Sequence, residues 1–214
     1  MKRLTSLFAA LTALALACEA AAAEKIRVLI IDGQNNHNWE DTTPYLKEQL
    51  EKTGRFTVSV STTPPTNPNQ DKATWAKWDP DFSKVDVVLS NYNGPAWPEH
   101  VRTKFEKFMR DGGGLVNVHA ANNAHQGWDE FEKMTGLLWR GPKGGWRVAL
   151  DERREPVRVK PGEGPGAGHG PQHAYPVVIT DSDHPITKGM PQRWMHVRDE
   201  LYHGQRGPAE EMHI

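Results

Sequence analysis

Residues Gly112–Asn123, with the sequence GGGLVNVHAANN, decide the fold that we expect for this chain. A short apolar run bounded by glycines is typical of a parallel β-strand buried between helices on both faces of a sheet. Ligands of such sheets bind in the crevice at the carboxyl ends of the strands. The small residues after His119 allow a sharp turn that raises the imidazole into this crevice. His119 is therefore the central functional candidate, and the alternative is a buried histidine that only bonds a backbone carbonyl.

Strands alternate with helices in the part of the chain that precedes this stretch. Apolar runs predict strands at 25–32, 56–61 and 85–90, and helices are expected to begin at Thr43-Pro44 and at Pro98. Such alternation implies right-handed crossovers between parallel strands. We therefore predict an α/β fold with a mostly parallel, doubly wound sheet in a three-layer arrangement.

The pattern is less regular after His119. Residues Trp146–Leu150 predict an edge strand, and Tyr175–Thr180 predict another strand. Residues Gly162–Gly170 contain five glycines with G-x-G spacing. A dinucleotide-binding fingerprint needs a strand before it and a helix after it, and neither is predicted here. We expect this segment to be a mobile surface loop.

The first 23 residues have the pattern of a secretory signal peptide. Lys2-Arg3 precede an apolar run, and Ala21-Ala22-Ala23 offer a cleavage site after Ala23. The single cysteine, Cys18, lies in this segment, and lipid attachment there is the alternative. The expected location is periplasmic or secreted. A mature chain without a thiol excludes disulfides, a cysteine nucleophile and a thiolate metal site.

The remaining residues, 24–214, suit one α/β domain. The net charge of −1 and the mixed signs argue against nucleic-acid or membrane-surface partners, and no second apolar stretch is long enough to span a membrane. The last residues have the pattern of a strand that has just begun, so the domain is expected to lack its C-terminal strands. Composition does not predict the oligomeric state.

Polar side chains follow three of the predicted parallel strands. His37 follows the first strand with Asn35 and Glu40, Asn93 follows another with Asn91, and His119 is followed by Asn122 and Asn123. Because the carboxyl ends of parallel strands share one rim of the sheet, we expect one common cleft. The predicted catalytic residues are His119, His37, Glu200 and Tyr202, and the predicted substrate-binding residues are Asn93, Asn122 and Trp39.

Two kinds of chemistry remain open for this set. Two neutral imidazoles and one carboxylate could hold a divalent metal such as zinc with an open position for substrate. The same groups could instead act without metal as general acid and base. The spacing of the histidines does not decide between them. His169, His173 and His184 are weaker candidates.

Three motifs together resemble the trehalose-utilisation (ThuA-like) family. They are Gly112–His119, the segment His184-Pro185-Ile186-Thr187-Lys188-Gly189, and Asp199-Glu200-Leu201-Tyr202. The resemblance implies a flavodoxin-like fold related to class I glutamine amidotransferases. In that pattern the residue at the sharp turn is cysteine, and here it is His119, so glutamine hydrolysis through a thioester is not expected.

The resemblance also implies a role in carbohydrate metabolism. We expect an extracytoplasmic enzyme that acts on a small-molecule sugar or keto-sugar through a site centred on His119. The alternative is a non-catalytic carbohydrate-binding or scaffolding domain on the same fold. Measured turnover of keto-glycosides would distinguish the two.

Overall fold

A computed structural model describes residues 24–153 and 155–213. The predicted signal peptide and Cys18 lie outside the described residues. Within them, no helix is both long and apolar enough to cross a membrane. Four parallel strands form the central sheet in the order β2-β1-β3-β4, which confirms the predicted fold class. Their bounds are Ile26–Asp32 for β1, Phe56–Thr62 for β2, Val87–Ser90 for β3 and Gly114–Asn117 for β4.

Helices cover both faces of this sheet. They are α1 (Trp39–Lys52), α2 (Lys72–Trp75), α3 (Glu99–Arg110) and α4 (Asp129–Thr135). Val28 and Ile30 of β1 pack in a cluster that includes leucines of α1 on one face. Leu29 and Ile31 pack on the other face with the aromatic residues of α3 and the segments around it. Alternate side chains of one strand point to opposite faces, so the sheet is the middle of three layers.

Helix α1 begins five residues earlier than predicted. The side chain of Asn38 accepts a hydrogen bond from the backbone N–H of Asp41 at 3.2 Å and caps the helix. Two acidic residues in the first turn add a favourable interaction with the helix dipole. These signals outweigh Pro44, which lies inside the helix instead of starting it.

An aromatic cluster fills the layer beneath α3. Trp75, Trp97 and Trp128 are almost completely buried there, so these indoles serve packing. His125 is fully buried among them, and neither of its ring nitrogens has a hydrogen-bond partner. Residues 24–136, which contain this core and the parallel sheet, are called the sheet region below.

The remainder, residues 137–153 and 155–213, is called the ribbon region. Its strands form three two-stranded antiparallel ribbons outside the parallel sheet. Strands β5 (Arg147–Leu150) and β6 (Pro156–Val159) make the first, β7 (Gly168–His169) and β10 (Tyr202–His203) the second, and β8 (His173–Val178) and β9 (Arg193–Asp199) the third. The two strands predicted here therefore exist, but they pair in ribbons and not with the central sheet.

A buried arginine holds the ribbon region together. Arg206 is 0% exposed, and its guanidinium donates to the backbone carbonyls of Lys160, Glu163 and Pro165. The segment Gly162–Gly170 lies largely on the surface, as predicted, and its mobility stays a prediction. Glu163 and Pro165 accept hydrogen bonds from Arg206, and Gly168–His169 form β7. The sequence did not indicate these contacts, because backbone carbonyl acceptors leave no pattern of side chains.

Candidate functional site

Three neighbouring strands of the sheet region bring His37, Asn93 and His119 to one rim. Strands β1, β3 and β4 are adjacent and parallel, and each of these residues follows one of them. The loop after β1 is held by Asn35, whose side-chain oxygen accepts from the N–H of His37 at 3.0 Å and whose amide donates to the carbonyl of Asn91 at 3.1 Å. The common rim inferred from the sequence is thus present.

His119 occupies the centre of the polar groups. It begins a 3-10 turn, His119–Asn123, with a backbone φ of 47°, which is unusual for a residue with a side chain. Its Nε2 atom lies 3.1 Å from Nε2 of His37 and 3.1 Å from the hydroxyl of Tyr202. The turn predicted from the small residues after His119 therefore brings the imidazole to two other polar side chains.

The ribbon region supplies the opposite wall. Glu200 places Oε2 at 3.9 Å from Nε2 of His119 and Oε1 at 3.5 Å from Nε2 of His169. His169 and Tyr202 are register partners in the β7–β10 ribbon, and their rings stack with centroids 5.9 Å apart. His169 was only a weak candidate in the sequence, because its ribbon pairing could not be inferred from spacing.

These groups surround a cavity of about 210 Å³, which we call the histidine cleft. It is lined by ten residues, which are Asn36, His37, Asn93, Ala120, Asn122, Asn123, Trp139, His169, Glu200 and Tyr202. Five of the seven predicted site residues are among them. His119 is not, but its ring contacts two lining residues, and 40% of its side chain is exposed.

Trp39 does not join this set. As the first residue of α1, it lines a separate shallow depression with Asp32 and Val60. The prediction that Trp39 contacts the substrate of the histidine site therefore has no geometric support. Trp139, whose ring centroid lies 4.5 Å from that of Tyr202, provides the indole of the cleft instead. Of the weaker candidates, His184 stacks on His213 outside the cleft.

The environment of the cleft shifts the pKa values of His119 and Tyr202 in opposite directions. Partial burial lowers the pKa of His119, the neighbouring His37 lowers it further, and Glu200 opposes the shift. Burial, with the charge of Glu200, raises the pKa of Tyr202 to about 12. At neutral pH, His119 is therefore a neutral proton acceptor and Tyr202 a protonated hydrogen-bond donor.

The ring of His169 is oriented by a backbone carbonyl. Its Nδ1 lies 2.9 Å from the carbonyl of Gly170, which can only accept, so Nδ1 is the donor in this hydrogen bond. Its Nε2 faces Oε1 of Glu200 across 3.5 Å. His169 therefore presents Nε2 to the carboxylate at the opposite wall of the cleft.

Asparagine side chains give the cleft its remaining polarity. Asn93 donates to the side-chain oxygen of Asn36 at 2.5 Å. The side-chain oxygen of Asn122 is buried without a hydrogen-bond partner. A buried acceptor left unpaired costs about 1–3 kcal/mol. A ligand hydroxyl that donates to Asn122 would remove this cost.

The metal site that the sequence left open as an alternative is incomplete in this geometry. The two Nε2 atoms of His37 and His119 are close enough to share an ion, but the Glu200 oxygen is farther from His119. Across the described part of the chain, no group of three or more His, Cys, Asp or Glu side chains could hold a metal ion. The residues therefore do not fit a bound metal, and we derive no chemistry through one.

A larger depression of about 780 Å³ lies at the opposite, amino end of β3 and β4. Its charged side chains already form ion pairs with one another or with nearby residues, namely Lys104–Asp79, Lys107–Asp111, Lys84–Asp81 and Arg27–Asp86. Paired charges on an open surface are typical of a solvated face. The smaller histidine cleft, with several titratable groups converging, is the better candidate site.

Comparisons with known proteins agree with this fold. The family model described as ThuA, trehalose utilisation, matches residues 27–214. A ThuA-like protein of Parabacteroides merdae, solved by crystallography, is 37% identical with a TM-score of 0.77 over 87% of this chain and 65% of its own. A ThuA-like protein of Bacteroides uniformis shares the fold, with a TM-score of 0.52 and 18% identity. The match covers 85% of this chain and 62% of that protein. The chain thus spans somewhat less than two thirds of each structure. Among curated proteins no significant match is found.

Proposed function

Because the chain belongs to the ThuA, or trehalose utilisation, family, we propose that it is an enzyme of carbohydrate metabolism that processes a sugar or keto-sugar in the histidine cleft. The observation that carries the proposal is the convergence of His37 and Tyr202 on Nε2 of His119, each at 3.1 Å. Titratable side chains with shifted pKa values that meet in one concave site favour catalysis over packing.

The cleft lining suits a polyhydroxylated ligand. Amide groups both donate and accept hydrogen bonds, and four asparagines line the cleft. Trp139 offers an indole to the apolar face of a sugar ring. The unpaired oxygen of Asn122 would accept from one of the sugar's hydroxyl groups.

The proposed roles follow from protonation. His119, with His37 beside it, accepts a proton from the substrate, and Tyr202 donates a hydrogen bond to a substrate oxygen. General acid–base catalysis of this kind contributes about 10²- to 10⁴-fold to a rate. Glu200 and His169 face each other at the opposite wall, with Oε1 and Nε2 3.5 Å apart.

The test is turnover of sugars and keto-glycosides by the purified full chain. We expect His119→Asn to lower turnover at least about 100-fold while the melting temperature stays close to that of the parent. His100→Asn, at an exposed position on α3, is the matched control and should retain full activity. Ligand binding without turnover in the parent would favour the non-catalytic binding domain, and loss of stability in step with activity would make His119 structural.

From the signal-peptide pattern of residues 1–23, we also propose that the protein acts outside the cytoplasm. Mass spectrometry of exported protein should find a mature chain that begins at Glu24. A mature chain that begins at a lipid-modified Cys18 would contradict the proposed cleavage site and replace a free protein with a membrane-anchored one.

A further inference from the structure

The set of reactive groups in the histidine cleft restricts the reaction. Glycoside hydrolysis generally uses two carboxyl groups that flank the scissile bond. Among the described residues, the cleft lining includes one carboxylate, Glu200, and it includes no serine, threonine, cysteine or lysine. The cleft thus lacks both the carboxylate pair and the usual nucleophiles. Imidazoles, a phenol and one carboxyl group can hold and move protons.

Two of the imidazoles form a base that a substrate can reach. The Nε2 atoms of His37 and His119 are 3.1 Å apart, so a proton accepted by either is shared with the other. His37 lines the cleft, and His119 is partly exposed. Because partial burial lowers the pKa of His119, its imidazole is ready to accept a proton at neutral pH.

Hydrogen-bond donors lie next to this base. The hydroxyl of Tyr202 is 3.1 Å from Nε2 of His119, so a substrate atom near one is near the other. A protonated phenol stabilises negative charge that develops on a carbonyl oxygen. The asparagine amides of the cleft lining offer further donors.

We infer that the histidine cleft catalyses proton transfer at the carbon next to the carbonyl group of a keto-sugar. This inference rests on the proposed function and specifies its reaction. The C–H bond breaks and its proton passes to the His37–His119 pair. The electron pair forms a C=C bond, and the carbonyl becomes an enolate oxygen that accepts a hydrogen bond from Tyr202. Return of the proton to the same carbon gives the starting sugar or, from the opposite face, its epimer. If the enolate oxygen gains a proton, the hydroxyl group on the neighbouring carbon loses its own and the former carbonyl carbon is protonated, the product is the isomeric keto-sugar. Neither route needs an oxidant or co-reactant.

The volume of the cleft restricts the part of the substrate that enters it. Drug-sized ligands occupy cavities of about 300–1,000 Å³. The histidine cleft, at about 210 Å³, is smaller and suits a single sugar ring. In a longer saccharide, the keto-bearing ring would enter and the rest would remain outside.

Deuterium exchange tests this inference directly. The full chain is incubated in D₂O with methyl hexopyranosides that carry the carbonyl at C2, C3 or C4, and proton NMR follows the hydrogens beside the carbonyl. We expect catalysed exchange for at least one regioisomer. His119→Asn should lower the exchange rate at least about 100-fold, and Tyr202→Phe at least about tenfold. His100→Asn is the control and should exchange at the parent rate.

The outcomes separate the inference from the proposed function. Hydrolysis or other turnover without exchange above the uncatalysed rate would overturn proton transfer and leave a carbohydrate enzyme. Exchange that survives in the double variant His37→Asn/His119→Asn would also overturn it, because another base would be responsible. If no sugar or keto-glycoside binds or reacts at all, both the inference and the proposed function fail.

Discussion

The sheet region and the ribbon region are held together by different forces. In the sheet region, strands and helices bury a continuous apolar core, and residues such as Ile30, Val88 and Phe105 are fully buried. In the ribbon region the buried apolar residues are Leu138, Ile179 and Ala209, and the fully buried Arg206 fastens backbone carbonyls. Burial of an apolar core requires apolar residues at regular positions in the sequence, whereas hydrogen bonds from an arginine to backbone carbonyls require no such pattern. The histidine cleft lies where the two regions meet.

The largest expected effect is a loss of stability in acid that originates at a buried histidine of the sheet region. Burial lowers the pKa of His125 to about 3, and the charges of Arg140 and Arg102 add to the shift. The unfolded chain binds a proton near pH 6.5 and the folded chain does not, so stability falls as pH decreases from about 6.5 towards 3. The loss is on the order of 5 kcal/mol at most. Chemical denaturation at several pH values should show it.

His125→Phe is the variant that isolates this effect. It keeps an aromatic ring in the cluster and removes the titrating group. The parent and the variant should differ in stability most at low pH and least above pH 7. Parallel pH dependences in the two proteins would show that His125 does not titrate in this range.

Replacement of Arg206 should affect the ribbon region selectively. Arg206→Met removes the donors to Lys160, Glu163 and Pro165 and leaves their carbonyls without these hydrogen bonds. The cost is about 2–4 kcal/mol. Amide hydrogen exchange should increase in residues 137–213 while β1 and β3 remain protected. An equal increase in both regions would mean that the chain unfolds as one cooperative unit.

The same substitution in each region gives a smaller but well-matched contrast. Val88 is 0% exposed in β3, and Val197 is 73% exposed in β9. Val88→Thr buries a hydroxyl group in apolar surroundings and should cost about 1–3 kcal/mol. Val197→Thr should change the free energy of unfolding by less than about 0.5 kcal/mol. A comparable loss in both variants would show that the face of β9 is covered in solution.

The smallest expected effect on stability concerns His169. This residue is exposed on a two-residue strand, so His169→Gln should change the free energy of unfolding by less than about 0.5 kcal/mol. Turnover should nevertheless fall at least about tenfold, because Glu200 loses the imidazole that faces it across 3.5 Å in the cleft. Steady-state kinetics with the parent's best substrate measure this. Unchanged turnover would remove His169 from the site.

Much of the sheet region could be predicted from the sequence. Apolar runs and glycine stops identified all four parallel strands, since local periodicity reports burial on both faces of a sheet. The same reasoning put His37, Asn93 and His119 on one rim. The start of α1 was misplaced because a cap by Asn38 competes with the signal of Thr43-Pro44.

The ribbon region was largely beyond such reasoning. Glu200 and Tyr202 were predicted from the polar segment Arg198–His203 and from a family resemblance. Their position opposite His119 depends on the pairing of β7 with β10. Two-residue strands have no periodicity to detect. His169 was underrated for the same reason. The contacts of Gly162–Gly170 depend on Arg206, which lies 43 positions after Glu163 and 41 after Pro165.

The bridging position of His119 has a consequence for how the protein matures. His37 and Tyr202 lie 82 and 83 positions from His119 in opposite directions along the chain. Contacts so distant in sequence form slowly, because the chain loses the entropy of closing a long loop before the contact contributes any stabilisation. During refolding, the core indoles should therefore become buried before catalysis returns. A chain still emerging from the ribosome would therefore lack the wall of the histidine cleft that Glu200 and Tyr202 form, until the ribbon region has been made and has docked.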